Sequence, residues 1–165
     1  MPDEVLSLVS ELADRLLARG ELLACAESCT GGWVAKSCTD LAGSSVWFER
    51  GFVTYSNAAK QEMLGVSVAT LDEQGAVSEA TVAEMAAGAL EHSAAHWALA
   101  ISGIAGPGGG SVDKPVGTVW IGWAGPGDWR NTERHHFDGG REAVRHQSVV
   151  AALRGLLDQL ATSAN

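Results

Sequence analysis

The sequence lacks the segments that would place the chain in a membrane or direct it to secretion. No apolar run approaches the eighteen or so residues that a membrane-spanning helix requires. The first residues, Met1-Pro2-Asp3-Glu4, lack the basic region of a signal peptide. Linkers, internal repeats and low-complexity segments are also missing. We therefore expect a soluble, cytoplasmic protein whose residues 1–165 form a single domain.

Basic residues are scarce in this chain. It has 11 Lys and Arg residues against 20 Asp and Glu residues, for a formal net charge of −9 at pH 7. The field of an acidic protein opposes a long polyanion, so DNA and RNA are not expected partners. A small phosphate can still bind at a local basic site, which leaves a small-molecule partner open.

Cysteine is also rare, and its spacing excludes the usual zinc motifs. The three cysteines are Cys25, Cys29 and Cys38, with no CxxC pair and no histidine nearby in sequence. The histidines at positions 135, 136 and 146 lack metal-ligand spacing as well. We expect free, partly buried thiols, no metal site and no cofactor.

What the sequence does contain is a succession of helical and strand-like segments. The spacing predicts helices over 5–17, 33–41, 57–64, 78–91 and 140–160. Buried or β-rich runs predict strands over 22–26, 47–55, 98–102, 117–124 and 130–137. Helices alternate with the first strands, and the later strands follow one another. This pattern is typical of the α/β class, as a three-layer α/β/α sandwich with a mixed sheet.

Three polar segments follow predicted strands, at residues 27–32, 55–60 and 102–110. Ligands of open α/β sheets bind beyond the carboxyl ends of the strands, so these segments are candidate site elements. The first contains adjacent reactive groups, Ser28 and Cys29, either of which could be a nucleophile. An ordinary interpretation is also open, in which Ser28 or Thr30 simply caps the next helix.

The second segment places Tyr55 and Lys60 beside a predicted helix start at Asn57. With Asn57 as the cap, Lys60 lies in the first turn, where the helix dipole disfavours a cation and lowers its pKa. A hydroxyl, a phenol and an amine together suit acyl transfer without a metal ion. Taken singly, Tyr55 and Lys60 are better explained as surface side chains.

Six segments together resemble the CinA C-terminal domain family, in particular its stand-alone nicotinamide-nucleotide amidohydrolases. They span about residues 25–147 and read AESCTGGWVAKS, LAGSSVWFERGFVTYSNAAKQEMLGV, GAVSEATVAEMA, AISGIAGPGGGS, KPVGTVWIGW and REAVRHQ. The resemblance implies hydrolysis of the carboxamide of nicotinamide mononucleotide (NMN) to nicotinate mononucleotide and ammonia. The substrate would then be a small nucleotide, and the reaction would need no metal ion.

The same resemblance assigns roles to individual residues. Ser28 would be the nucleophile, Lys60 and Tyr55 the base and its proton-relay partner, and Ser102 a further catalytic hydroxyl. Cys29 would then pack beneath the turn and Thr30 would cap the helix. The substrate would be bound by residues from the same segments, namely Glu27, Thr30, Gly31, Gly32, Asn57, Gly103, Ala105, Gly106, Arg141 and Arg145.

Three residues of this set keep alternatives open. Glu27 is expected either to fix its turn through backbone hydrogen bonds or to be an ordinary strand-end carboxylate. Arg141 and Arg145 lie four apart on one helix face, where they could bind the 5′-phosphate or pair with Glu142 or Asp138.

Two other functions compete with amide hydrolysis. A nucleotide-binding regulatory module would not need a lysine, such as Lys60, that can act as a base. A pyrophosphatase would need a carboxylate cluster for metal, which the sequence lacks. Oligomeric state stays undecided, with a homodimer compatible with the sequence.

Overall fold

Five strands form one mixed sheet in the computed structural model, which describes residues 2–163. The sheet order is β2-β1-β3-β4-β5, with β1 parallel to both of its neighbours and β3, β4 and β5 antiparallel in succession. The strands are β1 (Leu23–Glu27), β2 (Phe48–Val53), β3 (Trp97–Gly103), β4 (Thr118–Gly125) and β5 (Trp129–His136). All five predicted strands are therefore present, and the mixed sheet is confirmed.

Six α-helices surround the sheet within the described residues. They are α1 (Pro2–Arg19), α2 (Trp33–Thr39), α3 (Asn57–Leu64), α4 (Val68–Gln74), α5 (Glu79–Glu91) and α6 (Arg141–Thr162). Two short 3₁₀ segments occur at Ser44–Val46 and Pro126–Asp128. The sequence analysis missed α4, a seven-residue helix that begins after the cap residue Ser67 and is too short to show a clear period. None of these helices is both long and apolar enough to cross a bilayer.

Strand β1 shows how the two helix layers share the sheet. Its side chains alternate between the faces, because successive residues of a strand point in opposite directions. Leu23 and Cys25 join a core built with α1, α2 and α6, whereas Ala24 and Ala26 join a core built with α3, α4 and α5. The predicted three-layer α/β/α sandwich is confirmed.

The connections place a crevice at the carboxyl ends of β1 and β3. From β1 the chain passes through α2 to β2 on one side, and it then returns through α3, α4 and α5 to β3 on the other side. Such a reversal of strand order leaves a gap in which ligands of α/β proteins bind. The segments after β1, β2 and β3 all reach this edge, as the sequence predicted.

The three cysteines are free thiols, as predicted, and all three are buried, Cys25 and Cys38 completely. Cys25 and Cys38 lie in the core on the α1, α2 and α6 face. Burial raises the pKa of both thiols far above its ordinary value, so both stay protonated at neutral pH.

Candidate active site

The turn after β1, residues 28–32, is held by the buried carboxylate of Glu27. Its two oxygens accept hydrogen bonds from the backbone N–H groups of Val34, at 2.9 Å, and Ala35, at 3.0 Å. These two N–H groups belong to the first turn of α2 and have no acceptor within the helix. The expectation that Glu27 fixes the turn through backbone hydrogen bonds is confirmed.

The expectation that Thr30 caps α2 is wrong. The cap position is taken by Gly32, which lies in the left-handed region at φ 104° and has no side chain to accept a hydrogen bond. The Thr30 hydroxyl is buried without a hydrogen-bond partner in the described part of the chain. Glu27 reaches the helix start from the strand, and so removes the need for a cap within the turn.

Helix α3 begins one residue earlier than the predicted cap implied. Its cap is Ser56, whose hydroxyl accepts from the N–H of Ala59 at 3.0 Å, so Asn57 is the first helical residue. Asn57 is exposed. Lys60 nevertheless lies at the end of the first turn, as expected, and points inward.

Lys60 is buried, with 1% of its surface exposed, and its ammonium has three acceptors. The Nζ atom donates to Ser28 Oγ at 2.9 Å, to the Thr54 carbonyl at 2.8 Å and to the Tyr55 carbonyl at 3.1 Å. The predicted meeting of Ser28 and Lys60 is thus present. The sequence analysis did not predict the Thr54 and Tyr55 carbonyls as partners, because the spacing of side chains does not show where backbone carbonyls point.

Burial lowers the pKa of Lys60 from its ordinary value of 10.5 to about 8. The Cys29 thiol, when ionised, acts more weakly in the opposite direction. At pH 7 roughly one lysine in ten is then a neutral amine, against about one in several thousand for an unperturbed side chain. A neutral amine is therefore available beside Ser28 in a substantial fraction of molecules at neutral pH.

Cys29 differs from Ser28 in both contacts and ionisation. Its side chain is 7% exposed, and burial raises the pKa of the thiol to about 11. A thiol is a nucleophile only as the thiolate, which is rare at neutral pH with such a pKa. The expectation that Cys29 packs beneath the turn is confirmed, and Ser28 is the hydroxyl beside the amine.

Ser102 lies next to Ser28 by strand register. Glu27 pairs with Ile101, and the N–H of Ser28 continues the ladder by donating to the Ile101 carbonyl at 3.0 Å. Ser28 and Ser102 are the next residues of the two strands, so both face the α3 layer with Lys60. Ser102 is buried, with 1% of its surface exposed.

The Tyr55 side chain lies away from Lys60, although its carbonyl is a Lys60 partner. The residue is 64% exposed, and Nη2 of Arg141 donates to its phenol oxygen over a long 3.5 Å. Nη1 of Arg141 also donates to the Gly106 carbonyl at 2.7 Å. The relay role of the phenol stays a prediction, since this arrangement puts the phenol beside Arg141.

Arg145 contacts the Ser28 turn itself. Its Nε donates to the Cys29 carbonyl at 2.9 Å and its Nη2 to the Thr30 carbonyl at 3.2 Å, while its guanidinium lies 5.5 Å from the Trp33 ring. Neither Arg141 nor Arg145 forms a salt bridge to Glu142 or Asp138 among the described residues. The alternative of surface ion pairing is therefore not observed.

The glycine segment after β3 needs its glycines for two different reasons. A Cβ on Gly103 would lie 2.6 Å from Val119, so β3 and β4 pack closely there. Gly106 has φ +85°, a conformation that side chains disfavour, and a Cβ there would lie 2.5 Å from Val116. Ala105 between them is buried. The glycines thus allow the segment to pack closely against Val116 and Val119.

A cavity of about 920 Å³ lies among α1, α2 and α6, on the side of the turn away from Lys60. Its lining includes four of the predicted binding residues, together with the Trp33 and His146 side chains. Those four are Thr30, Gly31, Gly32 and Arg145. No group of three His, Cys, Asp or Glu side chains able to hold a metal ion occurs in residues 2–163.

The comparisons with known proteins all identify relatives from one family. Nicotinamide-nucleotide amidohydrolase PncC of Enterobacter agglomerans is 57% identical over 147 residues, which cover 89% of this chain and 90% of that protein. The PncC protein of Escherichia coli strain K12 is 55% identical over 156 residues, or 94% of each chain.

A solved structure has the same fold. The competence damage-inducible protein A from Klebsiella pneumoniae matches with a TM-score of 0.93 and 41% identity, covering 97% of this chain and 99% of that one. The family model described as the CinA C-terminal domain matches residues 5–160. This chain therefore belongs to the CinA C-terminal domain family.

Proposed function

We propose that this chain hydrolyses the carboxamide of NMN, releasing ammonia and nicotinate mononucleotide. The observation that carries the proposal is the 2.9 Å contact between the Ser28 hydroxyl and the buried Lys60 amine. The relatives named nicotinamide-nucleotide amidohydrolase support this choice of substrate.

The contacts of Lys60 explain how its amine would act as a base. A neutral amine has two N–H donors and one lone pair, and the Thr54 and Tyr55 carbonyls can only accept hydrogen bonds. The two remaining N–H groups therefore go to these carbonyls, and the lone pair faces Ser28 Oγ. Deprotonation orients the base without any movement of the chain.

The reaction follows from this orientation. Ser28 Oγ attacks the carboxamide carbon while its proton passes to Lys60, and the C=O electron pair moves onto oxygen. The tetrahedral intermediate collapses, the C–N bond breaks, and Lys60 returns the proton so that ammonia leaves. Water then attacks the acyl-enzyme with Lys60 again as base, which frees the carboxylate and restores Ser28. No step needs a metal ion.

Substrate binding is proposed to use the groups around this centre. Arg141, exposed beside the Tyr55 phenol, is suited to the 5′-phosphate, because guanidinium groups make planar bidentate contacts with phosphate oxygens. We expect the Ser102 hydroxyl to contact the carboxamide next to Ser28. The backbone of residues 103–106 and the exposed Asn57 would complete the substrate crevice.

Ammonia release from NMN tests the proposal directly. Wild type is expected to release ammonia with or without a chelator, whereas Ser28→Ala loses all but a few per cent of turnover and still binds NMN within about tenfold, or 1.4 kcal/mol. Cys29→Ala is the matched control in the same turn and is expected to keep most of its activity.

Two results would contradict the proposal. NMN that binds to wild type without any ammonia release would indicate a binding module instead of an enzyme. Activity retained in Ser28→Ala but lost in Cys29→Ala would make the thiol the nucleophile.

A further inference from the structure

The Ser28 turn leaves backbone donors unused. The N–H of Ser28 donates to the Ile101 carbonyl and that of Gly31 to the Ser28 carbonyl at 3.1 Å. The N–H groups of Cys29, Thr30 and Gly32 donate no hydrogen bond to another of residues 2–163, and that of Cys29 contacts only the sulfur of its own side chain. Cys29 and Thr30 are buried. Buried N–H groups are nearly always paired, so an unpaired set beside a nucleophile points to an anionic acceptor on a ligand.

Two of these donors belong to peptide groups whose carbonyls are held in place. The Ser28 carbonyl accepts from the Gly31 N–H, and the Cys29 carbonyl accepts from Nε of Arg145. In a planar trans peptide the N–H points opposite to the C=O of the same group. The N–H groups of Cys29 and Thr30 are thereby turned away from Arg145 and from the interior of the turn. The Gly31 carbonyl has no such partner in the described part of the chain, so the Gly32 N–H is not fixed in this way.

We propose that the backbone N–H groups of Cys29 and Thr30 form the oxyanion hole of the amide hydrolysis, and that Arg145 is the positioning residue that holds them. This rests on the proposed function, since an oxyanion arises only if Ser28 attacks the carboxamide. Both donors belong to peptide groups within two residues of Ser28. In an acyl transfer, such preorganised donors stabilise the oxygen as its charge develops.

The contacts of Arg145 favour this role over phosphate binding. Two of its three guanidinium nitrogens are bound to carbonyls of the turn, and its plane lies near the Trp33 ring. It is half-buried, whereas Arg141 on the same helix face is exposed at the Tyr55 side. The two arginines, predicted to act together on the phosphate, are thus assigned separate tasks.

A thiocarboxamide analogue of NMN separates oxyanion stabilisation from other effects. Sulfur is a weaker hydrogen-bond acceptor than oxygen, so the analogue gains less from an oxyanion hole. Ammonia release from both compounds is measured for wild type, Arg145→Ala and Arg145→Lys. We expect Arg145→Ala to lower kcat on NMN by about 10²-fold, the usual effect of a lost oxyanion donor or a misplacement of about 1 Å. KM should change by less than threefold.

The amide-to-thioamide ratio of kcat is the decisive quantity. It should fall by about tenfold or more in Arg145→Ala, with partial recovery in Arg145→Lys, which can reach one carbonyl. An unchanged ratio in variants with a wild-type circular dichroism spectrum would overturn the inference. If Arg145→Ala does not fold, Arg145→Lys alone decides by the same ratio.

Arg141→Ala is the matched control, since it removes the same charge from the same face of α6. It should leave the amide-to-thioamide ratio unchanged and narrow the preference for NMN over nicotinamide riboside, which lacks the phosphate. If Arg145→Ala narrows that preference and keeps kcat, Arg145 binds the phosphate and the inference is wrong. A wild type that releases no ammonia from NMN would overturn the proposed function and, with it, this inference.

Discussion

At the scale of single residues, the pKa of Lys60 is the quantity on which the proposed chemistry depends. The side chain lies in the protein interior with carbonyl and hydroxyl acceptors only, and no carboxylate is among its hydrogen-bond partners. Removal from water disfavours the charged form, and no paired anion offsets that cost. Burial thus makes an ordinary amine usable as a base.

The pH dependence of turnover tests this account. The amine must be neutral, so kcat/KM on NMN should rise with pH and level off above an apparent pKa near 8, the value to which burial lowers that of Lys60. The apparent value belongs to the coupled Ser28 and Lys60 pair. An acidic limb that continues to rise to pH 10 would show that Lys60 titrates as an unperturbed lysine.

Lys60→Arg is the control for charge without basicity. Arginine stays protonated at all accessible pH values, so this variant should be nearly as inactive as Lys60→Ala. Near-wild-type turnover in Lys60→Arg would mean that the lysine acts through its charge, and the base would have to be sought elsewhere.

At the scale of elements, helix α6 matters because it carries both arginines of the site. Its packing depends on Gly155, since a Cβ at this position would lie 2.2 Å from Cζ2 of Trp123. The Trp123 ring is buried, and its Nε1–H donates to the Ala152 carbonyl of the same helix at 3.0 Å. The ring therefore has little freedom to move aside.

We expect Gly155→Ala to destabilise the protein by about 1–3 kcal/mol through overpacking. Helix propensity alone predicts the opposite sign, a gain of up to about 1 kcal/mol. Urea denaturation measures the difference. Gly108→Ala is the control, because a Cβ there meets nothing within 4 Å, and its effect should stay within about 0.5 kcal/mol. A Gly155→Ala variant that is more stable than wild type would show that the Trp123 ring can move aside.

At the scale of the whole molecule, one sheet supports both helix layers. Five of the six tryptophans pack on the α1, α2 and α6 face, and Trp120 packs on the other. Tryptophan fluorescence therefore reports mainly on one layer, whereas far-UV circular dichroism reports on the helices of both. Neither layer can keep its core once the shared sheet is lost.

We expect thermal or urea unfolding to be a single transition with coincident midpoints by the two probes. This outcome would also support the interpretation of the chain as one domain. A fluorescence transition at lower denaturant than the circular dichroism transition would instead show that the α1, α2 and α6 layer unfolds independently.

The sequence by itself determined the elements and the reactive side chains. Hydrophobic period, glycine placement and strand-like runs located all five strands and five of the six described helices, because these signals act over a few neighbouring residues. Ser28 and Lys60 were likewise visible as chemical groups at strand ends.

Tertiary structure alone decided how those groups are used. The first N–H groups of α2 are bound by Glu27 instead of Thr30. Lys60 donates to the Tyr55 carbonyl instead of its phenol, and Arg145 holds a turn that lies 116 residues away in sequence. Side-chain spacing carries no record of where a backbone carbonyl points or how deeply an amine is buried. Both depend on contacts between distant segments, which exist only after the sheet has assembled.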